Sequence, residues 1–499
     1  MKVILFLLFS PGILQAQVSL AGVFSNGMIL QQQMPVSVWG KGVPGANVMV
    51  TLGTYSGQTA VNHDSTWVVQ LPARPASREK YLMTIVSGNQ KIVLNDLLFG
   101  DLWICIGQSN MEFPMDRELH WSEEKVKAGE PMVRFLNPHP AGKNIYGKPY
   151  PDSILHQLDT KFFFNWKGWQ VCDSGSSRTM SAVAYYFARM VYRETGIPIG
   201  MIHLGMGGAP LETFISQEAL AADPVFRQKL NGNWLFNDAL PVWVRERGLQ
   251  NLGSNQALPD DGRGPGHPFK PCFIYEAGIH PLLQFSIKGI LCYQGESNAQ
   301  EIQRVNEYAA LCSLMVNDYR KKWNQPEMPF YYVQLSSIDS VRYRSQLWPA
   351  FREEQRKMMQ LISHSGMIVS SDLGARDDVH PVNKKEVGER LARWALTRTY
   401  HRKGIPSGPL PAGISYKKGR IVVKFKYTGR GLQTSDGGPL TGFSVEGSGS
   451  VTATVQKRTV VIYTTNPPAY ITYGWKPYSD GNLVNSASLP ASTFQLSLH

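Results

Sequence analysis

The chain lacks several things that would narrow its class at once. Among its 499 residues there is no CxxC pair and no low-complexity tract, although it contains 46 glycines and 32 prolines. No self-similar period of roughly 20–50 residues is present, which excludes solenoids and propellers. Charged residues are scarce, at 18% against 43% hydrophobic, which excludes a disordered chain. Beyond the first residues no run reaches roughly 18 uninterrupted apolar positions, so no membrane span is expected. Five cysteines cannot all pair. Cys105 and Cys292 lie inside apolar runs and read as buried thiols. Zinc-type ligand spacing is missing, and neither a metal nor a cofactor is expected.

The net charge is +12, but the cations are dispersed. The densest group is Lys417, Lys418, Arg420, Lys424 and Lys426, read as one face of a strand pair. A solvated basic surface is the plain explanation, an anionic ligand the alternative, and no nucleic-acid partner is expected. At the N-terminus Lys2 precedes a mostly apolar run from Val3 to Leu14, followed by small Ala16. This pattern reads as a signal peptide over residues 1–16, hence export to the periplasm or outside the cell. The other reading is an ordinary buried first strand.

Composition then changes twice along the chain. Residues 17–98 carry short alternating runs such as Val36–Trp39, Asn47–Leu52, Thr66–Leu71, Tyr81–Val86 and Lys91–Leu94, separated by turn residues, a small β-sandwich pattern. Residues 99–402 alternate apolar strand-length runs with helical spacing, the mark of an α/β core with a parallel sheet. The expected strands are Leu102–Ile106, Ile199–Leu204, Ile287–Tyr293, Phe330–Leu335 and Met367–Ser370, and the expected helices Ser181–Thr195, Asn298–Trp323 and Pro349–Ile362. An insertion spans about 225–271, with a loop expected at 251–271. From 403 to 499 the β pattern returns.

Open α/β sheets bind ligands beyond the carboxyl ends of their strands, so the residues that follow each strand come first. Gly107-Gln108-Ser109-Asn110 follows the first. Ser109 reads either as a helix cap or as a nucleophile whose backbone N–H faces an oxyanion. Gly205-Met206-Gly207-Gly208-Ala209-Pro210 follows the second. It lacks the last glycine of a dinucleotide loop and the lysine of a phosphate loop. What remains is a tight turn or a bare amide aimed into a site. Gln294-Gly295-Glu296-Ser297-Asn298 follows the third, offering a side-chain amide and a carboxylate, or a cap for the next helix. Asp372 and then Asp377-Asp378-Val379-His380 follow the last. An Asp three residues before a His can fix its tautomer and leave Nε2 as a base. Solvated acids beside an incidental histidine are the plainer alternative.

These segments in this order (GQSNMEFPM, MGGAPLE, YQGESN, DVHP) resemble the sialate O-acetylesterase family of the SGNH hydrolases. The likeness extends to FSNGMILQQQMPVSVWGKGVPG, SAVAYYFARMV and PVNKKEVGERLARWAL. It implies an α/β, flavodoxin-like three-layer SGNH hydrolase core with N- and C-terminal β-sandwich-like accessory regions. It also implies a serine esterase that removes O-acetyl groups from sugars, with Ser109 as nucleophile, His380 as base and Asp377 as acid. The oxyanion hole would comprise Ser109, Gly207 or Gly208, and Gln294. Asp378 and Asp372 compete with Asp377, while Glu296 and Asn110 stand behind the site or against substrate. The substrate is expected to be an O-acetylated sialoside, or else an acetylated plant polysaccharide. A non-catalytic carbohydrate-binding protein is the reading of another class. Because the histidine must be neutral, activity is expected to rise between about pH 5.5 and 7.

Overall fold

The computed structural model describes residues 18–253, 260–447 and 449–498. The signal-peptide reading of residues 1–16 and the middle of the loop at 251–271 lie outside them.

One strand organises the molecule. β1 (Gln90–Gly107) alternates in burial along its first residues and is wholly buried from Leu97 onward. The sequence dictates this, since Lys91-Ile92-Val93-Leu94-Asn95 is mixed and Leu102–Ile106 is apolar on both faces. The first half of β1 pairs antiparallel with Ser77–Ser87 in the N-terminal region. The second half lies between two parallel neighbours of the central sheet. Thus the N-terminal strands and the core share one sheet. Gln31 and Gln32 tie the two parts together by donating to buried Asp101 at 2.7 and 3.1 Å. That is what a buried carboxylate requires.

The other central strands are β2 (Glu130–Leu136), β3 (Trp169–Cys172), β4 (Ile199–His203), β5 (Gly289–Tyr293), β6 (Phe330–Gln334) and β7 (Ser365–Val369). In space they run β3-β2-β4-β1-β5-β6-β7. All but edge strand β3 are parallel. Numbered among themselves, β1, β4, β5, β6 and β7 stand in the order 2-1-3-4-5, a doubly wound arrangement whose order reverses beside β1. β2 and β3 were not expected. Arg134 breaks the apolar run of β2, yet it is buried, with Asp96 3.2 Å away.

Helices cover both faces. Those that bear on the site and the sheet are α1 (Ser109–Glu112), α2 (Ala182–Thr195), α3 (Ile302–Lys322), α4 (Trp348–Leu361) and α5 (Lys385–Trp394). Neighbouring residues of a strand point to opposite faces, and β6 separates the helices accordingly. The Tyr331 ring stacks 6.3 Å from Trp394 of α5, while the Tyr332 hydroxyl donates to the Gln355 carbonyl of α4 at 2.7 Å. α2 starts where Ser181 caps the Ala184 N–H and stops at Gly196, φ 74°. The segment expected as a loop at 251–271 begins inside the helix Val242–Leu252.

Among the described residues the C-terminal region forms two four-stranded sheets and a two-stranded one around a separate core including Ile421, Val423, Val460, Ile471 and Phe494. Arg420, Lys424 and Lys426 line the exposed face of one strand. Buried Arg352 of α4 donates to the Lys476 and Pro477 carbonyls, and Arg376 lies 4.7 Å over the Tyr478 ring. The five cysteines are free and buried. Burial pushes the Cys105 and Cys292 thiols up. Among the described residues no helix is long and apolar enough to cross a membrane.

Candidate active site

The candidate site lies where the strand order reverses. β1 ends at Gly107, φ 135°, where a Cβ would sit 2.1 Å from the Tyr293 carbonyl of β5. Only glycine allows that approach. The chain then turns into α1, with Gln108, not Ser109, at the capping position and no side-chain cap present. Ser109 is therefore free of helix duty. Its Oγ lies 2.7 Å from His380 Nε2, across a separation of 271 residues.

His380 sits on the loop between β7 and α5. Burial holds its imidazole below the ordinary 6.5, Asp378 opposes that effect, and Lys384 and Arg117 add to it. The free base is thus the favoured form at neutral pH. Asp378 Oδ1 accepts the His380 backbone N–H at 2.8 Å and lies 3.6 Å from Nδ1, beyond hydrogen-bond range. Two expectations need correcting here. Asp377 makes no ion pair or hydrogen bond with His380 among the described residues, because the turn is closed by the next residue, Asp378. Asp372 is taken up by Arg390, with both contacts at 2.7 Å. The acid nearest to the imidazole is Asp378.

The expected oxyanion donors also divide. The Gly207 N–H donates to Glu112 Oε2 at 2.7 Å, so it is already occupied. The Gly208 N–H, at φ 80°, meets no protein acceptor among the described residues, and neither does that of Ser109. Gln294 is 1% exposed and fully engaged. Its Nε2 donates to Asn298 Oδ1 at 2.8 Å, with longer contacts of 3.3 Å to Gln108 and the Ala209 carbonyl. Its Oε1 accepts from Tyr308 at 2.6 Å. A side-chain amide has two donor hydrogens, and these are committed to the protein. Gln294 therefore supports the site and is corrected as an oxyanion donor.

The rest of its loop behaves the same way. Asn298 accepts the Leu211 N–H at 3.1 Å and donates to Glu212 Oε2 at 3.0 Å. Glu212 in turn receives Lys229 Nζ at 2.8 Å. Ser297 Oγ donates to the Gly208 carbonyl at 2.9 Å, which ties the glycine turn to the β5 loop. Glu296 and Asn110 lie buried behind the Ser109–His380 pair, joined at 2.5 Å, away from the open side.

Sequence reading missed Gln108, Glu112 and Lys384. Gln108 Oε1 accepts the Ser297 N–H at 3.2 Å. Glu112 carries a raised pKa from burial, opposed by Lys143 and the Gly207 N–H. Lys384 is wholly buried four residues beyond His380. Adjacency to the motif serine and histidine was the available signal. Among the described residues no group of three His, Cys, Asp or Glu side chains is disposed to hold a metal ion.

Residues 275–397 match a family model described as carbohydrate esterase, sialic acid-specific acetylesterase. That segment contains Gln294, Glu296 and His380, whereas Ser109 lies outside it. The Homo sapiens sialate O-acetylesterase is 28% identical over 448 residues, covering 82% of this chain and 76% of that protein. The Mus musculus sialate O-acetylesterase is 28% identical over 439 residues, covering 82% and 78%. A crystal structure of a carbohydrate acetylesterase from Xanthomonas citri superposes with a TM-score of 0.79 at 25% identity, covering 96% of this chain and 99% of the other. A serine–histidine pair of this kind on a mixed α/β fold, with these relatives, defines a carboxylic ester hydrolase. The resemblance carried by the sequence motifs is to the sialate O-acetylesterase family, and it extends over four-fifths of the chain.

Proposed function

We propose that the protein is an exported sialate O-acetylesterase working through an acetyl-serine intermediate. The observation that carries this reading is the 2.7 Å contact between Ser109 Oγ and His380 Nε2. In this reading the core is a flavodoxin-like three-layer SGNH hydrolase over 99–402. Accessory β-domains occupy 17–98 and 403–499, and residues 1–16 are a signal peptide.

Ser109 Oγ attacks the acetyl carbonyl while His380 Nε2 takes its proton. The Ser109 and Gly208 N–H groups receive the developing oxyanion. His380 returns the proton to the departing sugar hydroxyl. Water then cleaves the acetyl-serine with the same base, releasing acetate. Asp378 stabilises the transient imidazolium by charge, without a bond to Nδ1.

A second reading is esterase action on an acetylated carbohydrate other than a sialoside, such as a plant polysaccharide; the superposition on the Xanthomonas citri carbohydrate acetylesterase supports a carbohydrate ester of either kind. Acetate release from O-acetylated sialosides and acetylated xylo-oligosaccharides, beside a Ser109→Ala control, tests both. Release from sialosides is expected. Release from xylo-oligosaccharides alone moves the reading to the second substrate, and release from neither ends it.

A further inference from the structure

Behind the Ser109–His380 pair one side chain joins three loops. Asn110, 1% exposed, donates from Nδ2 to Glu296 Oε1 at 2.5 Å and to the Val379 carbonyl at 2.9 Å. Its Oδ1 accepts from Lys384 Nζ at 2.5 Å. These partners come from the loop after β5, from the peptide preceding His380, and from the turn into α5. Both donor hydrogens and the acceptor of the amide are thereby used.

The charged partners are poorly compensated otherwise. Lys384 is 0% exposed, and its Nζ lies 4.9 Å from the Phe113 ring centre and 5.5 Å from that of Tyr293. Glu296 is 4% exposed and its Oε2 has no partner among the described residues. Burying two incompletely bonded charges costs stability, and apolar side chains of the same volume would cost less. The ester hydrolysis proposed above uses neither charge.

Their position supplies a use. Among the described residues the His380 ring makes one hydrogen bond, to Ser109, and its side chain is 37% exposed. Its aim therefore depends on its backbone. Asn110 pins the peptide on one side through the Val379 carbonyl, and Asp378 holds the His380 N–H at 2.8 Å.

We propose that Asn110, Glu296 and Lys384 form a buried positioning clamp that aims His380 at Ser109. The proposal rests on the esterase reading of that pair.

The electrostatics agree with the geometry. Burial lowers Lys384 to about 7, while Glu296, Asp378 and Glu118, all facing it, oppose the shift. Burial raises Glu296 to about 7, while Asn110 and Lys384 pull it down. On His380, burial, Lys384 and Arg117 disfavour the cation, and only Asp378 favours it. On the acid side of neutrality Lys384 is therefore charged and resists a second cation beside it.

The test uses the full chain, a chromogenic acetyl ester and the pH profile of kcat/KM, with Ser109→Ala as reference. Lys384→Met is expected to lower kcat by up to ~10²-fold with KM unchanged, and to move the acid limb to higher pH. A folded variant with wild-type kcat and an unmoved limb overturns the clamp, and so does a rise in KM alone. If Lys384→Met fails to fold, Asn110→Ala decides. It removes the bond to the Val379 carbonyl that pins the peptide before His380, so kcat is expected to fall with KM unchanged. A wild-type kcat in the folded variant overturns the proposal. Activity retained by Ser109→Ala would fell the esterase reading and the clamp together. An inactive Ser109→Ala with unaffected clamp variants would fell the clamp alone.

Discussion

The loop Gln294–Asn298 and the loop bearing His380 both abut the Ser109 turn, yet they are built in opposite ways. In the first, Gln294, Glu296, Ser297 and Asn298 are all buried, and most of their polar atoms are bonded to the protein. In the second, Asp378 and His380 reach solvent, with side-chain exposures of 60% and 37%. Among the described residues the imidazole has one hydrogen-bond partner, Ser109. A side chain whose donors are all satisfied has nothing left for a substrate. Motif residues thus divide into those that build the site and those that face it, and hydrogen-bond accounting tells them apart.

The contrast breaks most visibly at the exposed pair. Ser109→Ala is expected to lower kcat by roughly 10⁶-fold with the fold intact, read as acetate release alongside thermal unfolding. Near-normal turnover would remove the distinction. Asp378→Asn should cost well short of the ~10⁴ that follows loss of a hydrogen-bonded triad acid, because its carboxylate stands 3.6 Å from Nδ1. Asp378 also favours the imidazolium, so its loss should move the acid limb of the rate profile to lower pH. A shift upward would contradict the assigned geometry.

On the buried side, Gln294→Ala should destabilise the fold by about 1–3 kcal/mol, the cost of leaving buried partners unsatisfied. Denaturant unfolding measures this. Its kcat per folded molecule should fall less than the ~10² typical of a lost oxyanion donor. A larger fall with unchanged stability would return Gln294 to the oxyanion hole. In the wild type, the acid limb should lie below the ordinary histidine value of 6.5, since burial disfavours the cation. The window of pH 5.5–7 read from an unperturbed histidine then shifts downward. Asp377→Asn should leave the rate unchanged, as its carboxylate engages neither His380 nor its loop.

Five of the seven strands of the central sheet were legible because parallel strands buried on both faces are continuously apolar, and α2, α3 and α4 were legible from their helical spacing, whereas α5 was not expected. Phe330–Gln334 and Gly289–Tyr293 lie within the expected runs Phe330–Leu335 and Ile287–Tyr293, shorter by one and two residues. Strand Glu130–Leu136 was hidden, because buried Arg134 interrupts its apolar run and its partner Asp96 is remote in the chain. Chain position placed Ser109 and His380 after strands of one sheet, and the family resemblance of their motifs gave them their roles. Which acid faces the imidazole was not legible, because Asp377 and Asp378 differ by a single step of a turn. Nor was the employment of Gln294, whose partners Tyr308 and Asn298 come from beyond its strand.

By itself the sequence determined an α/β core with β-rich flanks, and a hydroxyl and an imidazole at the same sheet edge. Periodicity and order along the chain suffice for that. The tertiary structure alone decided which polar groups remain unpaired, that Lys384 and Glu296 lie buried behind the pair, and that β1 joins the N-terminal strands to the core. Hydrogen bonds and burial are settled between residues up to hundreds of positions apart, and no local pattern encodes them.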